Sequence, residues 1–188
     1  MANEEHIALI KQGVNIWNGW REENSEVRPD LSEASLIGLT LAGVDLIGSN
    51  LVGVDLRNAY LTRAYLLNAD LTGAVLCNVD FRSADLQHAC LHTADLSAAN
   101  LTAANLSRAD LSGANLQYAC LSGANLSRAD LSSANLFAAR SSFADFRGAR
   151  RLTIEQISRV ETLYNVKLDA QLMEEIGENH PRLLKAPK

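Results

Sequence analysis

Much of what usually announces a function is missing from this 188-residue chain. It has three prolines, two methionines and three cysteines, and aromatic residues make up 5% of it. No apolar run approaches the ~20 residues that span a bilayer, and no charged-then-apolar leader precedes the start. Three cysteines without such a leader fit a reducing compartment, the cytoplasm, with all three thiols free. One-signed charge is also absent. The formal net charge is −5, and residues 29–150 carry 8 basic and 11 acidic groups. No basic stripe exists to hold nucleic acid directly. There is no Gly-rich phosphate loop, GxSxG elbow, HExxH or CxxC.

What is present is a period. From Leu31, every fifth residue is Leu or Phe as far as Phe146, with Ser141 the one exception. Ala stands two places before 18 of these 24 centres, and the residue between is usually Asp or Asn. Ala104 to Leu116, ANLSRADLSGANL, shows the pattern without defect. A fixed short period of this kind marks a repeat architecture. Side chains of a strand alternate with period two, so a period of five requires a corner in every unit. Repeated corners of one hand wind the chain into a coil. Four sides fit Leu and Ala at interior density, which predicts about six coils over the 24 units. Eight of the 11 glycines fall at the second place after a centre, where a type II turn needs φ > 0. Asn58, Asn68 and Asn78 share that slot; Arg63, Arg108, Arg128 and Ala103 there predict a turn without the demand.

These units resemble the pentapeptide-repeat family, whose signature is A(D/N)LXX. The resemblance covers residues 29–150 and implies an all-β solenoid, the right-handed quadrilateral β-helix. Leu39, Val44, Ser49 and Val54 depart from the Ala of the signature. The WNxWR segment, Trp17 to Arg21, resembles the cyanobacterial branch, in which a helical segment precedes the first repeat.

Short helical caps are expected at both ends, because a bare β-helix end exposes unpaired backbone and core. Residues 1–28 form the first, with Asn3 as N-cap, Ile7, Ile10, Val14 and Trp17 at helical spacing, and Trp17 with Trp20 as a lid. Residues 151–177 form the second. Thr153 and Gln156 read as a capping box, and Ile157, Val160 and Tyr164 continue a helix of about ten residues. Asp169 is a candidate cap for a further helix ending near Gly177, and residues 178–188 read as a flexible tail.

Candidate chemistry is sparse. Leu86, Leu106 and Leu126, spaced by 20, form the expected core stack. A filled interior leaves no concave pocket, and the outward Asp residues lack the burial that perturbs a carboxylate, so no catalytic residue and no cofactor is assigned. His88, Cys90 and His92 lack a fourth ligand and a convergent geometry, so no metal site is assigned either. Tyr60 and Tyr65 occupy slots usually held by Asp or Asn, with Ile47 and Leu67 beside Tyr65. This is the candidate interaction patch, unless the N-terminal segment covers it. The sequence therefore reads as a non-enzymatic rigid scaffold that recognises a protein of unknown identity through the β-helix faces. It predicts no membrane contact, and admits weak homo-oligomers through an end cap. The resemblance offers an alternative, a DNA mimic that binds a type II topoisomerase (gyrase).

Overall fold

The structure, a computed structural model, describes residues 3–187; Met1, Ala2 and Lys188, counted above with the cap and the tail, lie outside the described residues. The regular elements are α1 (Glu4–Lys11), α2 (Val14–Glu23), α3 (Ile154–Ile157), α4 (Ala170–Asn179) and a 3-10 helix over Pro181–Leu184. The expected all-β solenoid, a right-handed quadrilateral β-helix, must be corrected: no β-strand occurs among the described residues. The repeats meet only through isolated parallel bridges, each one residue wide. The reason lies in the period. Each unit closes a turn, as where the Ala109 N–H donates to the Leu106 carbonyl at 3.1 Å. Too few residues remain between turns to propagate a strand.

The bridges join residues 20 apart, such as Asn105 with Asn125 and Asp110 with Asp130. Around Leu106, its own N–H donates to the Asn125 carbonyl at 2.7 Å, and the Asn125 N–H donates to the Ala104 carbonyl at 2.9 Å. The corner adds a third bond, from Arg108 N–H to the Ser127 carbonyl at 3.0 Å. Every second-after-centre residue from Glu33 to Gly148 has positive φ, including Arg63 (57°), Ala103 (57°), Arg108 (61°) and Arg128 (61°). Arginine and alanine at this slot thus meet the same backbone demand as glycine, contrary to the sequence expectation. Their Cβ finds room there: one added at Gly38, Gly43, Gly48, Gly73 or Gly123 would meet nothing within 4 Å.

The Leu and Ala positions fill the interior. Leu86, Leu106 and Leu126 are each wholly buried, as are Ala89, Ala109 and Ala129. Ser49 and Ser141 occupy an Ala and a Leu position, are buried, and leave their hydroxyls without a partner. Phe146 is buried, whereas Phe143 stands at a corner, exposed.

At the N-terminus the single expected helix is two, broken at Gly13 (φ 112°). Asn3 caps α1 by accepting from the Glu5 and His6 N–H groups. At the C-terminus the Thr153–Gln156 capping box forms, but α3 ends at Ile157 rather than running ten residues. The following residues return to the bridging pattern instead: Thr162 pairs with Arg140, and Lys167 with Asp145. Val160 and Leu163 are buried by this return. Asp169 is the N-cap residue of α4 but makes no capping bond; its carboxylate accepts from Gly148 N–H at 3.0 Å. Within the stretch expected as a flexible tail, Pro181–Leu184 form the 3-10 helix. Leu183 is 5% exposed and its carbonyl accepts from Leu163 N–H at 2.7 Å, which ties the 3-10 helix to the last coil.

Replacing Leu106 by Ala is expected to cost about 2–5 kcal/mol, from lost transfer energy and the cavity left behind. Asn105→Ala should cost about 1 kcal/mol, since it removes surface hydrogen bonds only. Chemical denaturation of both variants checks this, and equal losses would refute the assigned interior. Leu183→Ala should also cost about 2–5 kcal/mol. A truncation at residue 177 that melts like the full chain would show that the C-terminal segment holds nothing.

Candidate functional site

The first coil has no coil before it, so its outer backbone groups need other partners. Helices α1 and α2 supply them. Asn18 donates to the Gly43 carbonyl at 3.0 Å and accepts from the Asp45 N–H at 2.9 Å. The Trp17 indole N–H donates to the Asp45 carbonyl at 2.6 Å. His6 Nδ1 accepts from Asp30 N–H at 3.0 Å. Arg21, 7% exposed, donates to the Val27 carbonyl at 2.8 Å and the Ile47 carbonyl at 3.2 Å. Trp17 is wholly buried, and Trp20 packs half-buried against it with ring centroids 5.3 Å apart. Trp17, Asn18 and Arg21 share one side of α2 because positions i and i+4 are neighbours on a helix. The sequence reading noticed the tryptophans and missed the polar contacts of His6, Asn18 and Arg21.

The two tyrosines of the candidate patch stand on neighbouring rows of bridges. Tyr65 is 52% exposed and, with Ile47, Asp45, Asn18 and Glu22, lines a cleft of about 290 Å³ beside α2. Leu67 is half-buried. Tyr60, 54% exposed, bridges to Thr40 and Asp80, whereas Tyr65 bridges to Asp45 and Asp85. Helix α2 borders this region and leaves both tyrosines open.

The carboxylates are engaged. Asp55, Asp80 and Asp145 are each gripped by the arginine two residues later, with the shortest contacts 2.6, 2.7 and 2.6 Å. Those hydrogen bonds hold all three carboxyls below the ordinary value of 3.8. Asp130 is lowered by its bond from the Ser132 hydroxyl, with Arg150 at 3.1 Å adding to the effect. Among the described residues no group of three His, Cys, Asp or Glu side chains converges on a metal position. His88 and His92 are exposed, and His92 instead hydrogen-bonds the Ser112 hydroxyl at 2.8 Å. Cys77, Cys90 and Cys120 are free.

These findings overturn both functional expectations from sequence. Recognition through β-helix faces needs strand faces, and among the described residues there are none. A DNA mimic needs a continuous field of one sign, whereas arginines neutralise Asp55, Asp80, Asp130 and Asp145 in place.

A different arrangement emerges at the corners of the later units. Tyr118 takes the left-handed slot and its ring meets Phe137 edge to face, centroids 5.8 Å apart. Phe143 takes the same slot at the next corner of the following coil and meets Tyr164 edge to face at 5.4 Å. Both pairs share one backbone device, in which the corner N–H donates to its ring partner's carbonyl: Tyr118 to Phe137 at 3.0 Å and Phe143 to Tyr164 at 2.8 Å. Tyr118, Phe137 and Phe143 are 59%, 47% and 56% exposed. Between the two corners lies Arg140, exposed, with no carboxylate in ion-pair range among the described residues. It bridges to Cys120. Burial pushes the Cys120 thiol up, but bonds from Thr102 and Ser122 and the charge of Arg140 outweigh it, leaving the thiol below its ordinary value. Tyr118 and Phe137 were missed in the sequence because corner slots vary freely. The signal available was a large ring where a small or polar residue is usual.

The family model for pentapeptide repeats matches residues 30–63, 59–97, 94–132 and 121–150. HetL, a pentapeptide repeat protein involved in heterocyst differentiation regulation in the cyanobacterium Nostoc, is 32% identical over 68% of this chain, with a TM-score of 0.52. The match spans 62% of HetL's own chain. A pentapeptide repeat protein of the Arabidopsis thaliana thylakoid lumen is 28% identical over 71% of this chain and 81% of its own, with a TM-score of 0.43. Rfr23 of the cyanobacterium Cyanothece is 24% identical over 81% of this chain and 97% of its own, with a TM-score of 0.48. No curated protein matches the chain. No helix among the described residues is long and apolar enough to cross a membrane.

The depressed carboxyls set a pH dependence. A lowered folded-state value contributes stability that is complete above the unfolded value and is lost as pH falls through the folded one. The melting temperature should hold steady from roughly pH 8 to 5 and fall below about pH 4. Arg82→Gln should shrink the acid-induced fall, because Asp80 then loses its main partner. A fall that begins above pH 6 in the parent protein would assign the effect to other groups.

Proposed function

Since this chain belongs to the pentapeptide-repeat family, we propose that it is a non-catalytic regulatory protein that holds a protein partner by its aromatic corners. One observation carries the reading: two preformed edge-to-face pairs, Tyr118–Phe137 and Phe143–Tyr164, flank the unpaired Arg140. Rings already held edge to face lose little side-chain freedom on binding, so the apolar area they offer converts well into affinity. Arg140 between them selects a partner surface that presents a carboxylate among apolar side chains. The likeness to HetL, which is involved in regulating differentiation, supports a role through binding. Three free thiols favour the cytoplasm.

Tyr118→Ser with Phe137→Ser should weaken capture of the partner by about 30-fold, since a desolvated aromatic anchor contributes ~2 kcal/mol or more. Arg140→Glu should abolish it by opposing the partner's acid. Tyr60→Asp with Tyr65→Asp should leave it unchanged. The opposite pattern, loss with the tyrosine pair at 60 and 65 alone, would move the contact to the cleft beside α2 and overturn this reading.

A further inference from the structure

A second surface stands out by its uncompensated charge. Arg108 and Arg128 occupy equivalent left-handed corners of consecutive coils, joined by the Arg108 N–H bond to the Ser127 carbonyl at 3.0 Å. Their backbones are therefore about 5 Å apart, the spacing of adjacent bridged chains. Two like charges at such spacing raise each other's cost unless a counter-ion sits between them. None is supplied by the protein: among the described residues neither arginine has a carboxylate within ion-pair distance. The contrast with neighbouring arginines is sharp. Arg57, Arg82 and Arg147 stand one place after their centres and grip the Asp two residues back, at 2.6, 2.7 and 2.6 Å. Arg108 and Arg128 stand one place later and do not.

Both arginines border an open groove of about 560 Å³ that runs across four coils, lined also by Gln87, Ser107, Asn125, Ser127, Arg147 and Gly148. The Ser107 hydroxyl is committed to Asn105 at 2.8 Å. Ser127 satisfies Asn125 through its backbone N–H at 3.0 Å, which leaves its hydroxyl available to a ligand. The Arg128 stem lies against Gly148, where an added Cβ would come within 3.3 Å of its Cγ. Asp130, on the adjoining row, is already held by Arg150 at 3.1 Å and does not compete.

We propose that this groove binds a phosphoryl oxyanion, taken as a phosphate ester or as pyrophosphate. Two guanidinium forks present paired N–H donors to non-bridging oxygens, and their summed charge matches a dianion. Ser127 adds a neutral donor from the coil of Arg128, and Gln87 one from the coil before Arg108. A planar monocarboxylate satisfies one fork and leaves the second charge unopposed. Duplex nucleic acid is not the ligand chemistry, because the site offers a local pair of charges rather than a stripe.

Inorganic pyrophosphate titrated at low ionic strength should shift the backbone amide resonances of Ser107, Arg108, Ser127 and Arg128 saturably. The Arg108→Gln/Arg128→Gln variant should lose about tenfold or more in affinity, the scale of a charge-assisted bond. Arg63→Gln, at an equally exposed left-handed corner elsewhere, should change nothing. A phosphoserine peptide forms a second arm. Tighter binding than pyrophosphate assigns the phosphoryl group to a modified protein, and weaker binding to a small free anion. The double variant's melting curve should match the parent's; should it not, the single variants Arg108→Gln and Arg128→Gln read the same loss. No saturable shift, or binding that survives the substitutions, overturns the proposal.

Discussion

A left-handed backbone residue recurs at every fifth position from Glu33 to Gly148, and the turn closed around it governs the repeat region. For a non-glycine residue such a conformation costs on the order of 1–3 kcal/mol where nothing supports it. Here it is supported each time. The turn bond closes behind it, and at every corner but Ser133 and Gly148 the corner N–H also donates to a carbonyl of the following turn; Gly148 donates to the Asp169 carboxylate instead. Because the same corner permits no run of extended residues, neighbouring coils meet through single-residue bridges and not through strands. The corner side chain itself projects where little else is packed, so its identity is almost unconstrained. Gly, Asn, Arg, His, Tyr and Phe all appear in that slot at nearly the same φ.

A stack held together by bonds between successive coils has an unavoidable weakness at each end, where one coil lacks a neighbour. The two ends are closed in the same chemical way by unrelated sequences. At the start, His6, Trp17, Asn18 and Arg21 reach from the helices to individual backbone groups. At the finish, the Gln156 amide, held by its own capping box, donates to the Leu131 and Ala134 carbonyls at 2.8 and 2.9 Å. Asp169 then receives Gly148 N–H. These caps occupy backbone groups that a second chain would otherwise find unpaired at an open edge.

The five-residue period made the interior legible, because inward Leu and Ala recur without regard to what the corners carry. It said less about the elements joining them. Alternation around Leu106 suggests strand, yet a strand needs more extended residues than the corners leave. Arg63 and Arg108 misled for a related reason: an intrinsic preference against positive φ was weighed without the three bonds that offset it. Helical spacing of Ile157, Val160 and Tyr164 failed beyond Ile157, since Val160 and Leu163 gain more by filling inward positions above the last repeats. Of the surface, Tyr60 and Tyr65 were visible because they replace Asp or Asn in a regular slot. Tyr118 and Phe137 were not, because the corner slot has no residue rule to break.

One residue of register separates structural from available charge in this architecture. An arginine in the first place after a centre lies beside the carboxylate of its own unit and is consumed by it, as Arg57, Arg82 and Arg147 show. That pairing orders the surface and fixes the Asp that in turn accepts from the backbone two residues on, Asp80 from Arg82 N–H at 3.1 Å for example. An arginine in the second place has passed into the left-handed residue, and no acid of its unit follows it. The same holds for rings: Tyr118 and Phe143 in the second place stay exposed, while Phe81 and Phe146 at the centres are buried. A chain that cannot form a pocket inside can therefore still acquire binding chemistry outside, by changing the corner slot without disturbing the stack beneath it.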